Sequence, residues 1–281
     1  MRISDWAKQY VMGTAYLFMP ARVRDLPHLA AAVAGEMLVR NRSVPSNSDI
    51  RARPPGFAGI AWDVSSSTVM EAARRGFYPH AHIGPMKWWS PPVRGVMMLE
   101  DVHIAKRFRR TLRKTDMTVT VDRAFAEVLQ KCAAPRPGRP PLTWLTPSAQ
   151  GLYSRLHAEG HAHSVEVWSA GGELVGGVFG IDTAPVFSAL SMFHTKDDAS
   201  KLAIVSLYHH LSAWGFTAVD HQFLSPWVRD LGGTERDRAE YCALLSSSPR
   251  AGTPTWRSEF TPADTAEWSP TSCTNSGSIE G

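Results

Sequence analysis

The chain has little cysteine. Cys132, Cys242 and Cys273 are odd in number, far apart and form no C-x-x-C pair. That spacing excludes a disulfide framework and suits a reducing, cytoplasmic setting. No long apolar run opens the chain either: MRISDWAKQYVMGTAYLFMP is interrupted too often for a signal peptide or a membrane span. Charge of neither sign is in large excess, 30 basic against 26 acidic residues giving +4, so any nucleic-acid contact must come from local clustering. There is no G-x-S-x-G elbow, and with it goes the hydrolase type of serine nucleophile. What is plentiful is hydrophobic content, 43% of 281 residues, enough to bury one large core or two small ones and to exclude disorder over most of the length.

Punctuation by proline and glycine divides the rest. Leu26 to Arg40 is Ala-rich and reads as a helix, followed by loops at SVPSNSD and RARPP. Ser65 to Arg75 reads as a capped helix stopped by Gly76, Val93 to Leu99 as a strand, Thr118 to Asp122 as a strand and Arg123 to Cys132 as a helix. APRPGRP, Ala134 to Pro140, is too dense in proline for regular structure and marks a loop or linker. Thr146 and Pro147 start another helix that Gly160 ends. From about Ser246 the Ser/Thr/Pro/Gly-rich composition predicts a disordered tail.

Ile104 to Lys114 has two faces. Ile104, Phe108 and Leu112 recur at intervals of four, while Lys106, Arg109, Arg110 and Arg113 gather on another side. A solvated helix face and a phosphate-binding face both fit that pattern. The pairs His80/His82 and His161/His163 lack a nearby third ligand, so no metal is expected. Gly176, Gly177 and Gly180 fall inside a hairpin strand and carry no dinucleotide signal.

The chain turns on Val186 to Gln222. Val186 to Phe193 reads as a strand, Thr195 with Asp198 as a helix cap, Leu202, Val205 and Leu211 as a helical stripe, and Gly215 as its stop. In the strand that follows, alternation puts Phe216, Ala218, Asp220 and Gln222 on one face. Preceded by SVEVW and ELVGGVFGI, this is a meander, a helix and one more strand. That order is the one found in an acetyltransferase-like (GNAT) half.

HAHSVEVW (161–168), ELVGGVFG (173–180), SMF followed by DASK (191–201) and VDHQ (219–222) closely resemble the bacterial leucyl/phenylalanyl-tRNA-protein transferases, and RGFYP (75–79), KWWSP (87–91) and TWLT (143–146) extend the match. The resemblance runs from about residue 56 to 245. It implies an α+β fold: a small N-terminal domain with its extension, residues 1–135, a GNAT-like catalytic domain, 136–245, and the tail, 246–281. It implies an aminoacyl-tRNA donor, whose 3′ ester is already activated, so that position and charge stabilisation suffice without cofactor or covalent nucleophile. Where a GNAT enzyme has a glycine-rich pyrophosphate turn this chain has HTKDDASK, which disfavours acyl-CoA.

By the same resemblance Asp220 and Gln222 orient the attacking amine and steady the reacting carbonyl. Val178, Phe187, Ile204, Leu207 and Val219 line an apolar aminoacyl pocket, though such residues are also what a core is made of. Trp144 and His80 lie near the tRNA 3′ end, and Lys106, Arg109, Arg110 and Arg113 meet tRNA phosphates. The chain departs from the family at GESMF, where Leu190 replaces the glutamate, at the IFPW tryptophan, which is His80, and at GGDLS, which reads Ala61-Trp62-Asp63-Val64-Ser65. Leu190 and Trp62 are thus assigned to the acceptor side. Leucine cannot form a charge-assisted hydrogen bond with the cationic N-terminal Arg or Lys of a protein, so the expectation is transfer of leucine, or another apolar amino acid, from charged tRNA (Leu-tRNA first) to a small-molecule amine or guanidine, a specialised metabolite. The alternatives are conventional transfer to N-terminal Arg or Lys, and a non-catalytic RNA-binding homologue. A monomer without membrane attachment is expected.

Overall fold

The computed structural model describes residues 25–80, 85–135, 143–247, 252 and 254–270. The start of the chain, His82, most of the proline-rich loop and Cys273 lie outside them. The chain divides into two compact units, residues 1–92 with 133–155, and 93–132 with 156–281. The sheet of the second unit therefore recruits chain from well before the boundary expected at 135.

In the first unit, helix α1 (Leu26–Val39) precedes a three-stranded antiparallel sheet of order β1-β3-β2, with β1 Phe57–Ile60, β2 Tyr78–His80 and β3 Lys87–Trp89. Helix α2 (Ser66–Arg74) lies between β1 and β2, its first turn capped by the Ser65 hydroxyl, which accepts from the Thr68 N–H at 3.4 Å.

The second unit is built on a seven-stranded sheet of order β10-β4-β9-β8-β7-β6-β5. Its strands are β4 Val93–Met98, β5 Thr118–Val121, β6 Ala162–Trp168, β7 Leu174–Thr183, β8 Val186–His194, β9 Ala218–Gln222 and β10 Thr234–Asp237. Helices α3 (Lys106–Lys114) and α4 (Phe125–Ala133) join β4 to β5 and β5 onward, and α5 (Pro147–Ala158) leads into β6. The meander β6-β7-β8 is antiparallel, and α6 (Ala199–Ala213) carries the chain back so that β9 lies parallel to β8; α7 (Pro226–Asp230) and α8 (Arg238–Leu245) come before and after β10. This meander, crossover helix and parallel return is the expected α+β arrangement. Helix α6 is buried on every side from Leu202 to Leu211, the core helix against which the sheet closes.

Three local features shape the site. The parallel pairing of β8 with β9 ends at Ser188 opposite Asp220. Beyond it β8 runs on to His194 without β9 beside it, so the two strands part just after Asp220. A bulge in β8 leaves Leu190 without a partner on β7, Phe179 pairing with Ser191 and Gly180 with Ala189. A second irregularity sets Gly95 against Gln222 and Val96 against Asp220, so His221 is the extra residue of β9. The expected cap on α6 fails. Thr195 still bonds to β7 through its N–H to Val175 at 2.8 Å, and the helix starts after Asp198, which enters it at φ 62° with no side-chain cap.

The tail expectation also fails over residues 254–270. Trp256, Phe260 and Trp268 each find aromatic partners, and Thr265 and Ala266, in the short helix α9 (Pro262–Glu267), have no exposed surface. Composition predicted disorder because it averaged over three well-spaced aromatic anchors, which bury enough area to order the segment.

Gly95 is where the site depends most on a missing side chain: a Cβ there would lie 2.6 Å from the Leu224 nitrogen and 2.9 Å from the Phe223 carbonyl carbon. Gly95→Ala should therefore destabilise by about 1–3 kcal/mol as the chain after Gln222 is displaced. Gly151→Ala, in α5 with nothing within 4 Å, should instead gain about 0.5–1 kcal/mol. Thermal melts of the two variants check both signs.

Candidate active site

Asp220 ends the parallel pairing and has no exposed surface. Both of its oxygens are filled. Oδ1 accepts from Arg94 Nε at 3.1 Å and from the Gln222 main-chain N–H at 2.9 Å. Oδ2 accepts from a second Arg94 nitrogen, from the Tyr241 hydroxyl at 3.1 Å, from the Ser188 hydroxyl at 3.2 Å and from Gln222 Nε2 at 3.3 Å. Burial pushes this carboxyl up, but the Arg94 charge and the hydrogen bonds from Arg94 and Gln222 outweigh it and hold it below the usual carboxylate range. Arg94 is itself 2% exposed and lies over the Tyr241 ring at 4.4 Å. Tyr241 belongs to helix α8 (Arg238–Leu245), and burial pushes its phenol up, so it remains a donor.

Gln222 follows the bulge in a left-handed conformation, φ 57°. Its amide nitrogen faces the Asp220 carboxylate and main-chain oxygen, at 3.3 and 3.4 Å. An amide oxygen in that place would meet two acceptors, so the carbonyl end is the one turned away from Asp220. The expected Asp–Gln pair is thus brought together, by a bulge rather than by simple alternation, and Gln222 alone keeps an unspent polar atom. Beside it Phe223 is 72% exposed. On the other lip of the opening Leu190 stands two residues past the last parallel pair, as Gln222 does, and is half-buried. His221 is pinned by Tyr208, whose hydroxyl lies 2.7 Å from Nε2. Burial pushes that imidazole down to about 4, so it is uncharged near neutrality.

Val178, Phe187, Ile204, Leu207 and Val219, the expected aminoacyl pocket, do come together, but as part of the core, each 2% exposed or less. Met192, half-buried on β8 and packed against them, is the apolar residue nearer solvent that the SMF match passed over.

The basic helix is partly used up from within. Arg109 donates through Nε to the Ile104 carbonyl at 3.0 Å and through one terminal nitrogen to the carbonyls of Ala266 at 2.5 Å and Trp268 at 2.8 Å. Arg113 pairs with Glu267. Two of the four expected phosphate ligands thus have partners in the segment whose composition predicts disorder. Lys106 and Arg110 are exposed, as are Arg107 and Lys114, which helical spacing alone could have added. None of the four has an ion-pair partner among the described residues.

In the first unit, His80 stacks on Trp144 with ring centres 5.2 Å apart and planes at 20°, and Tyr153 meets Trp144 edge-on at 5.7 Å. Lys87, directly across from His80 in the β2–β3 register, is nearly buried, and its ammonium donates to the Pro85 carbonyl at 2.8 Å. Burial pushes it down to about 8. A lysine inside an otherwise apolar KWW strand was the sequence signal for it. Trp62, on the expected acceptor side, lies 5.9 Å beneath Arg40, and its indole N–H is buried without an acceptor among the described residues.

Asp122, His157 and His163 bring three metal-type ligand atoms within 4.8 Å. Most of their polar atoms are already engaged: both His163 nitrogens, with Asp122 at 2.7 Å and the Gly160 carbonyl at 3.1 Å, His157 Nδ1 with the Ala162 carbonyl at 2.8 Å, and Asp122 also with the Ser164 N–H. The group reads as a strut between β5, α5 and β6 rather than a vacant metal centre.

Residues 96–246 match the family model described as leucyl/phenylalanyl-tRNA protein transferase. Curated relatives of that name include one from Nitratidesulfovibrio vulgaris (strain DP4), 42% identical over 201 residues, covering 71% of this chain and 85% of that protein. One from Tolumonas auensis is 38% identical over 203 residues, covering 72% and 86%. Among solved structures, FemX aligns with a TM-score of 0.40 at 12% identity, over 52% of this chain and 60% of that one. L-PGS from Bacillus licheniformis aligns with 0.38 at 14%, over 55% and 63%.

The terminal segment is held by neutral histidines. His209 lies between Phe260 at 3.8 Å and Trp268 at 5.1 Å, and His210 Nε2 accepts the N–H groups of Glu259 and Phe260 at 3.0 and 3.3 Å. Burial, then the neighbouring His210, pushes His209 from 6.5 down to about 4. A depressed histidine contributes stability that is complete above about pH 6.5 and is lost as the pH falls towards 4, because the unfolded chain takes up the proton first. The melting midpoint should fall across that window and fall less in His209→Phe, which keeps the stacking. Equal falls in the two proteins would count against this account of the segment.

Proposed function

Because this chain belongs to the leucyl/phenylalanyl-tRNA protein transferase family, we propose that its second unit transfers leucine or phenylalanine from the 3′ ester of an aminoacyl-tRNA to the amino terminus of a protein. The observation that carries the reading is the pairing of Asp220 with Gln222 where β8 and β9 part. The acceptor nitrogen attacks the ester carbonyl carbon, a C–N bond forms, the C–O bond to the tRNA 3′ oxygen breaks, and the amine proton ends on that oxygen. Gln222 Oε1 accepts an N–H of the incoming amine and so aims its lone pair at the ester. No cofactor enters. The amine reacts in its neutral form, because an ammonium has no lone pair to attack with, and the ion pair of Arg94 with Asp220 leaves no net negative charge there to hold it protonated.

The stacked His80 and Trp144 offer a surface for the terminal adenosine, which would add a layer worth about 1–3 kcal/mol. Lys106 and Arg110, with Arg107 and Lys114, are the cations of α3 without an ion-pair partner among the described residues, and would meet tRNA phosphates. The small-molecule acceptor expected from the sequence takes second place: relatives about 40% identical carry a protein acceptor in their names, and only Leu190 speaks for a different one. A leucine beside a cationic N-terminal residue forgoes a charge-assisted hydrogen bond of about 1.5–3 kcal/mol, a roughly ten- to hundredfold loss that need not abolish transfer.

The experiment combines the protein with labelled Leu-tRNA and a peptide beginning with Arg. Leucylated peptide is expected, with none formed from free leucine or leucyl-AMP, and Leu190→Glu should raise kcat/KM for that peptide by about ten- to a hundredfold. An unmodified peptide alongside a leucylated free amine would establish the small-molecule reading. Transfer to neither, with tRNA still bound, would make the chain a non-catalytic RNA-binding homologue.

A further inference from the structure

Asp220 has nothing left to offer a substrate. Six donor contacts from four side chains and one main-chain N–H converge on its two oxygens, it has no exposed surface, and a guanidinium balances its charge. A carboxylate so placed neither takes a proton from an incoming amine nor binds one. What it does hold is the NH2 end of the Gln222 amide. An amide has two ends, and which one meets the substrate decides whether the site accepts or donates a hydrogen bond.

We propose that Arg94 and Tyr241 are positioning residues for the transfer: they fix the Asp220 carboxylate, which draws the Gln222 NH2 inward and turns its carbonyl oxygen to the acceptor amine. The inference rests on the transferase reading above and assigns to it two residues from elements outside the VDHQ motif. Arg94 lies on β4, two residues from Val96, the cross-strand partner of Asp220, so it reaches Asp220 diagonally on the same face. Tyr241 comes from a different element, α8, and both donates to Oδ2 and lies beneath the guanidinium. Each therefore constrains Asp220 directly and constrains the other. Arginine is required for more than charge, because it spans both carboxylate oxygens, which a lysine cannot.

Two conservative variants separate positioning from bulk stability. Tyr241→Phe keeps the ring under Arg94 and removes one donor; Arg94→Lys keeps the charge and removes the two-pronged grip. Turnover with Leu-tRNA should fall about three- to tenfold in the first and about tenfold or more in the second, with KM for tRNA and acceptor unchanged. The Gln222 side-chain NH2 resonances, followed by NMR without substrate, should move towards free-amide values and exchange faster in both. Gln222 signals that stay as in the wild type, or a rise in KM with kcat intact, would overturn the proposal. So would a turnover loss that tracks a fall in melting temperature while the amide is unmoved. Should the wild-type protein transfer nothing, the transferase reading fails by itself, and the amide signals still decide whether Arg94 and Tyr241 orient Gln222.

Discussion

A carboxylate with no exposed surface survives in a protein core only if charge and hydrogen bonds replace the water it has lost. Here Arg94 supplies the charge, and the Tyr241, Ser188 and Gln222 donors complete the shell around Asp220. Removing one partner of such a pair leaves the other stranded at about 3–5 kcal/mol. The pair therefore ties β4 to β9 and, through Tyr241, ties α8 to both. It also sits where β9 parts from β8, so the interaction that holds the sheet together at this point also sets the geometry of the opening. The absence of a side chain at Gly95 belongs to the same constraint, since the turn after Gln222 crosses directly over it.

The chemistry follows from that constraint. Aminoacyl esters are reactive, so a transferase gains most by holding an amine and an ester in register. A neutral amide on a rigid support can do this, because it orients an N–H without trapping an ammonium, as a free carboxylate would. The buried ion pair supplies the support and cancels its own field. The terminal segment is a second case of charge spent internally, since Arg109 and Arg113 hold residues 266–268. Of the four basic residues that spacing gathers on one face, two are therefore engaged within the chain.

Much of the fold was legible in the sequence. Alternating strands, glycine stops and the Ser65 cap translate directly into elements, and VDHQ falls where β8 and β9 part. What was not legible depends on contacts between distant segments. Arg94 sits in a strand whose pattern gives no hint that its side chain turns to Asp220, and Tyr241 lies in a short helix near what composition marked as the start of disorder. Trp256, Phe260 and Trp268 looked like scattered aromatics in a polar tail, because local composition cannot register rings waiting on α6 and β6. The five apolar residues assigned to a pocket show the opposite ambiguity. Their spacing fits a lining and a core equally, and they are buried as core.

The central claim is that the Gln222 carbonyl oxygen orients the acceptor amine, and single-turnover transfer measures it most directly. With saturating Leu-tRNA and acceptor, Gln222→Ala should lower the transfer rate constant by about a hundredfold or more, in the range found when a positioned hydrogen-bonding group is removed from a reaction centre, while the Kd for tRNA stays at the wild-type value. A Gln222→Ala protein that transfers at the wild-type rate, or one that loses rate only because it no longer binds tRNA, would contradict the account.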